Sequence, residues 1–149
     1  MKIYTSYFYQ IRNFKQNMIP VSTALSDPIW YRPPEGQEYL FDKRGIINGL
    51  RYEPLIVQKY GTHYCPCEDK GIFQGQCPTM QEYELLLETM VNFNEMIKGF
   101  KYCLNKFNKD IIVLMVYETP QNPCSERKVL QQYFNKHGIE CKELEYPII

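Results

Sequence analysis

The sequence has no excess of either charge and no long apolar run. Lysine and arginine together number 17, and aspartate and glutamate also number 17, among 149 residues. A chain without net charge has no overall field to draw it onto nucleic acid or an anionic membrane, so we do not expect nucleic acid as a partner. The apolar stretches all fall short of the roughly 20 residues that a membrane-spanning helix needs, so we expect no membrane partner either. An anionic ligand would have to be captured by a local site.

The chain also lacks the apolar core of a secretion signal after Met1, which predicts a cytoplasmic protein. Its six cysteines are then expected to be thiols or metal ligands, because disulfides rarely persist in a reducing compartment. A glycine-rich phosphate-binding fingerprint is missing as well. These absences leave the class of ligand open.

Apolar periodicity predicts a single α/β domain over residues 1–149. Alternating apolar residues predict strands, and apolar residues spaced at threes and fours predict helices. The predicted elements are strands at 2–7 and 18–25, a long helix at 81–104 capped by Thr79, a strand at 111–117, a helix at 125–136 and a strand at 139–144. The last three form a βαβ unit, which is typical of parallel sheets. We therefore expect a three-layer fold, Rossmann-like or flavodoxin-like, with a mainly parallel sheet flanked by helices.

The strand at 111–117 leads through a polar loop into the next helix, and the candidate site lies there. Cys124 would stand at the helix N-terminus, where the helix dipole and free amides stabilise a thiolate. Arg127 would share a face with Cys124 and could fork a phosphate or a carboxylate. Glu118 would hold Arg127, accept a proton or bind a ribose hydroxyl, and Ser125 would cap the helix. In a purely structural alternative, Glu118 and Arg127 tie the loop to the helix, and Cys124 is an ordinary small residue.

Aromatic side chains are the second feature of the candidate site. Tyrosine occurs 13 times, and Tyr117 closes the strand that leads to Cys124. Trp30 and Tyr31 lie on a loop rich in proline, where they could stack on a base or anchor the loop to the core. We count all three aromatic residues among the candidate ligand-binding residues.

Residues 60–78 are predicted to form an irregular loop rich in cysteine. Four of its residues could ligate zinc: His63, Cys65, Cys67 and Cys77. Four ligands would close a tetrahedral zinc site, but a single residue separates the first two cysteines, which is closer than in the usual zinc knuckle. The alternatives are a pair of core thiols beside a solvent-facing histidine, or a loop that covers the site at Cys124.

The C-terminal half resembles the family catalogued as domain of unknown function 488, in particular its short phage-associated members. The resemblance rests on an apolar strand ending in Glu118, a loop containing proline, and a cysteine-centred motif with Arg127 that opens the last helix. The usual motif places histidine and arginine directly after the cysteine, whereas this chain has Ser125 and Glu126 there. In the N-terminal half, residues 47–51 resemble a mid-chain turn of the family, which adds Arg51 to the ligand-binding candidates. The resemblance implies an α/β fold, a site at this loop and a role in the cytoplasm of an infected bacterium.

Two functional hypotheses follow. In the first, the domain binds a phosphorylated or nucleotide-like small molecule, and a phage protein of this kind would sequester a host immune signal. In the second, Cys124 is the nucleophile of a hydrolase or transferase that acts on a nucleotide or small metabolite, assisted by Glu118. Small α/β domains often form dimers, so a homodimer is also expected.

Overall fold

The computed structural model describes residues 1–24, 27–32, 78–117, 119–121 and 125–148. Its strands are β1 (Lys2–Tyr7), β2 (Met18–Ser22), β3 (Ile111–Val116) and β4 (Cys141–Glu143). Its α-helices are α1 (Pro78–Met90), α2 (Phe93–Lys106) and α3 (Glu126–Lys136), and a 3₁₀ helix (Phe8–Asn13) follows β1 directly. The described order of elements therefore ends in the predicted βαβ unit, formed by β3, α3 and β4.

The four strands form one parallel sheet in the order β2-β3-β1-β4. Pairing β1 with β3 places Lys2 opposite Ile111 and Tyr7 opposite Val116, so the two central strands are in register along their whole length. Because the sheet is parallel, the carboxyl ends of all four strands lie at one edge. We call this the carboxyl edge.

Helices α1, α2 and α3 cover one face of the sheet. Alternate strand residues point toward them, as period-two geometry requires, and these residues are Ile3, Ile19, Val21, Ile112, Leu114 and Val116. The other face packs against the 3₁₀ helix, the 27–32 loop and the C-terminal segment (residues 144–148). Phe8, Tyr31 and Leu144 are among the residues that make these contacts. The predicted three-layer α/β fold, with a parallel sheet flanked by helices, is confirmed.

The single long helix predicted at 81–104 is wrong, because the structure has two helices there. The chain leaves the helical conformation at Val91 and Asn92, and Asn92 becomes the N-cap of α2: its Oδ1 accepts a hydrogen bond from the backbone N–H of Glu95 at 3.1 Å. The apolar spacing continues across this break, so periodicity alone does not reveal that there are two helices. The predicted cap at Thr79 is wrong too, since α1 already begins at Pro78, a residue suited to the first helical position.

Two strands are shorter than predicted, and local hydrogen bonds explain both differences. Strand β2 ends at Ser22, before a turn in which the Ser22 hydroxyl accepts from the backbone N–H of Ala24. Strand β4 begins at Cys141 because the N–H of Ile139 donates to the carbonyl of Phe134, 2.9 Å away, and stays with the end of α3. Gly138, with φ of 85°, makes that return from the helix.

Replacing Asn92 with alanine is expected to destabilise the protein by about 1 kcal/mol, because the first turn of α2 loses its side-chain acceptor. Urea unfolding monitored by circular dichroism measures this. Asn94→Ala is the matched control, since Asn94 is an exposed residue inside the first turn of the same helix; it should be neutral or slightly stabilising. Equal losses in the two variants would contradict a capping role for Asn92.

Candidate functional site

The chain leaves the two central strands at the carboxyl edge in opposite directions. From β1 it goes to β2 at one side of the sheet, and from β3 it passes through α3 to β4 at the other side. Such a point of divergence opens a crevice in α/β sheets, and ligands commonly bind there. The crevice is bordered by Tyr7 at the end of β1, by Phe8 directly after it and by Tyr117 after β3.

Helix α3 begins next to this crevice. Ser125 is its N-cap, has extended backbone angles and is fully buried, and its Oγ accepts from the backbone N–H of Arg127 at 3.3 Å. The capping role predicted for Ser125 is therefore present in the structure. This cap fixes the first turn of α3, in which Arg127 lies.

Arg127 is the largest fully buried side chain that the structure describes, with 1% of its surface exposed. Its Nε donates to Oε1 of Glu143 at 2.9 Å, and its guanidinium lies 5.7 Å from the centre of the Tyr7 ring. Its Nη1 and Nη2 are also buried, and within the described part of the chain they have no hydrogen-bond partner. Unpaired donors of a buried cation are costly, so their presence suggests a ligand-binding role.

One carboxylate oxygen of Glu143 accepts two hydrogen bonds. Its Oε1 accepts from Arg127 and also from the Thr5 hydroxyl at 2.8 Å, and Gln131 donates to that hydroxyl from 2.7 Å. Its Oε2 is buried and, among the described residues, has no partner. Burial raises the pKa of Glu143, against the lowering effects of Arg127, the Thr5 hydroxyl and Lys128. Proton binding to this carboxyl is therefore easier than in water.

An aromatic cluster lies at the same edge, around the buried ring of Phe8. The ring centres of Tyr31 and Tyr117 are each 5.2 Å from that of Phe8, and the ring of Trp30 is 6.4 Å away. Tyr31 is buried, whereas Trp30 is 51% exposed and Tyr117 is 42% exposed. The structure thus brings the three predicted aromatic candidates together, and two of them present ring surface to solvent.

Several predicted residues lie outside the part of the chain that the structure describes: Glu118, Cys124, Arg51, His63, Cys65, Cys67 and Cys77. Their predicted roles, including a zinc site, stay predictions. Among the described residues, no three His, Cys, Asp or Glu side chains are grouped to hold a metal ion. Cys103 and Cys141 are buried free thiols, and burial raises the pKa of Cys141 to about 12.

Sequence reasoning missed Glu143, Thr5 and Gln131. Glu143 falls in the predicted strand at 139–144 and Thr5 in the alternation of the predicted strand at 2–7, and neither pattern marks a site residue. A usable signal did exist: Thr5 is a polar residue on the face of β1 that Ile3 shows to be buried, and a buried hydroxyl needs partners.

Comparison with known proteins adds no assignment: no family model, no curated protein and no solved structure matches the chain. The resemblance to the domain of unknown function 488 family therefore stays a prediction. None of the described helices is long and apolar enough to cross a membrane.

Proposed function

We propose that this protein binds a phosphorylated or nucleotide-like small molecule at the carboxyl edge of its sheet, around Arg127 and the loop that contains Cys124. The observation that carries the proposal is the Arg127 side chain, whose two buried Nη atoms have no partner among the described residues. A guanidinium with both of its terminal nitrogens unpaired can donate two parallel hydrogen bonds to a phosphate or carboxylate.

The position of Arg127 adds to this support. It lies in the first turn of α3, an 11-residue helix, where partial positive charge and backbone N–H groups also favour anions. In the part of the chain that the structure describes, the acidic residues nearby are Glu126 in the same turn and Glu143, of which Glu143 is already engaged through Oε1. A ligand anion would thus meet a preformed donor group.

The aromatic cluster supports a ligand with a planar part. Trp30 and Tyr117 flank Phe8 and expose ring surface at the carboxyl edge, as does Tyr9, which is 67% exposed and 5.6 Å from the Trp30 ring. Stacking on such rings stabilises a bound base by about 1–3 kcal/mol. A ligand that joins a base to a phosphate would use both kinds of surface.

The biological role that we propose is sequestration, as the predicted resemblance to phage-associated proteins implies. A sequestering protein needs a tight site and no turnover. The alternative is an enzyme with Cys124 as nucleophile, and the same experiment distinguishes the two: a sequestered ligand is released unchanged, whereas an enzyme releases product or carries an adduct on Cys124.

Native mass spectrometry of the protein purified from cells, followed by denaturation and identification of what is released, tests the proposal. A phosphorylated or nucleotide-like ligand should be found, and Arg127→Ala should weaken its rebinding at least about tenfold, the loss expected for hydrogen bonds to a charged group. Lys128→Ala is the control, because it removes the neighbouring, exposed cation of α3. Equal effects of the two variants, or a ligand without anionic groups, would refute the proposal.

A further inference from the structure

Among the residues of this site that the structure describes, the unpaired atoms belong to two side chains that are hydrogen-bonded to each other. Arg127 offers Nη1 and Nη2 as donors, and Glu143 offers Oε2, while the Nε–Oε1 hydrogen bond of 2.9 Å joins the two groups. Thr5 and Gln131 fix the carboxyl from its other side. A group bound by Arg127 would therefore lie beside Glu143 and would have to satisfy its free oxygen.

From this arrangement we infer that Glu143 is a second ligand-binding residue, and that Arg127 and Glu143 together hold a terminal phosphate, a phosphomonoester, with one proton shared between that phosphate and the Glu143 carboxyl. The inference rests on the proposed function and specifies its ligand. An internal phosphodiester is expected to bind more weakly.

The charges around Glu143 require the shared proton. Two negative groups in one buried site do not both ionise, because each raises the proton affinity of the other. The cations that act on Glu143 are Arg127 and Lys128, both on α3, and Lys128 is exposed. Tyr146 of the C-terminal segment and Cys141 of β4 also lie near this charge, and burial and, to a smaller extent, Glu143 raise the pKa of both. Of the described residues, one buried cation, Arg127, thus faces two acids when the ligand is present.

A phosphomonoester can supply this proton itself, whereas a phosphodiester cannot. The second proton of a monoester dissociates near pH 6, so a P–O–H group is readily available to donate to Oε2 of Glu143. If the proton lies on Glu143 instead, the carboxyl donates to the phosphate dianion, and the complex still holds one proton. A diester has no such proton, so its binding depends on protonation of Glu143 alone.

The test compares adenosine and guanosine 5′-monophosphates with their 3′,5′-cyclic forms by isothermal titration calorimetry. For the monophosphate that binds more tightly, Kd should rise about tenfold per pH unit between about pH 7 and pH 9, because the complex keeps a proton that the free partners lose. Titration in buffers of different ionisation enthalpy should show uptake of about one proton at the upper end of that range. At neutral pH the cyclic form should bind at least about tenfold more weakly.

Glu143→Gln should flatten this pH dependence to less than about threefold per unit and bring the two forms to similar affinity, because an amide donates to either anion without a titrating proton. Glu88→Gln is the control: Glu88 pairs with Lys136 at the opposite end of α3, at 3.3 Å, and its loss should leave the pH slope intact. The wild-type pH slope and the preference between the two forms need no variant, so poor folding of Glu143→Gln does not weaken the test.

Equal, pH-independent binding of both forms that is lost in Arg127→Ala would overturn this inference and leave the proposed function standing. The absence of binding by any of these nucleotides at about pH 6, where the proton is present, would count against both.

Discussion

Replacing Phe134 with alanine is expected to lower the free energy of unfolding by about 4 kcal/mol, which is the largest loss that we predict for a single residue. Phe134 is fully buried in α3, and its ring centre lies 6.3 Å from those of Phe93 and Phe100 in α2. Alanine would leave a cavity between the two helices and the sheet, and the surrounding strands are too tightly paired to close it. Urea unfolding gives the loss directly.

Tyr102→Ala is the matched control for Phe134, because it also removes an aromatic ring from the helical layer. Tyr102 lies on α2 and is 61% exposed, so its replacement should change the free energy of unfolding by less than about 0.5 kcal/mol. A loss below about 1 kcal/mol for Phe134→Ala would mean that α2 and α3 do not share a tightly packed core.

Much of the fold could be predicted because several of its strands and helices have a clear apolar pattern. Alternation identified β1, an apolar run identified β3, and the helix at 125–136 was predicted close to the bounds of α3. The break between α1 and α2 was missed since Val91 continues the apolar series and only the side chain of Asn92 marks a new helix start. A cap acts through one hydrogen bond, which a periodicity argument does not weigh.

Only those residues of the candidate site that lie close together in the sequence could be predicted. Arg127 and Ser125 follow a predicted strand and open a predicted helix, so their place at the carboxyl edge follows from sequence order. The partner of Arg127 does not follow from sequence order. Glu143 is 16 residues from Arg127, and only the pairing of β1 with β4 brings Glu143 beside Thr5, which is 138 residues away in the chain. Glu118, the sequence-based candidate for that role, is nine residues from Arg127 in the chain.

Removing Arg127 alone should destabilise the protein more than removing Arg127 and Glu143 together. Arg127→Met is expected to cost about 3 kcal/mol, because it leaves the Glu143 carboxylate in a largely buried place without its cation. The double variant Arg127→Met/Glu143→Met should cost less than about 1 kcal/mol, since apolar side chains of similar volume replace the pair and no charge is left unpaired. Urea unfolding of both single variants and the double variant completes the thermodynamic cycle.

The stability lost in Arg127→Met should depend on pH, and the direction of that dependence follows from the pKa of Glu143. The pKa of Glu143 is already raised by burial, and removing Arg127 takes away an influence that lowers it. A carboxyl whose pKa is higher in the folded state stabilises the fold at low pH and loses that contribution as the pH rises through the folded-state pKa. Arg127→Met should therefore lose more stability at neutral pH than at about pH 4, and the double variant should show no such difference.

The double variant also separates folding from ligand binding at this site. If the pair is a binding device, Arg127→Met/Glu143→Met should unfold at nearly the wild-type urea concentration and bind no phosphorylated ligand. If the pair only holds α3 against β4, the double variant should be as unstable as Arg127→Met, because the lost ion pair itself would be the stabilising interaction. That result would contradict the expectation, since buried ion pairs usually contribute little net stability once their desolvation is included, and it would make Arg127 and Glu143 part of the scaffold.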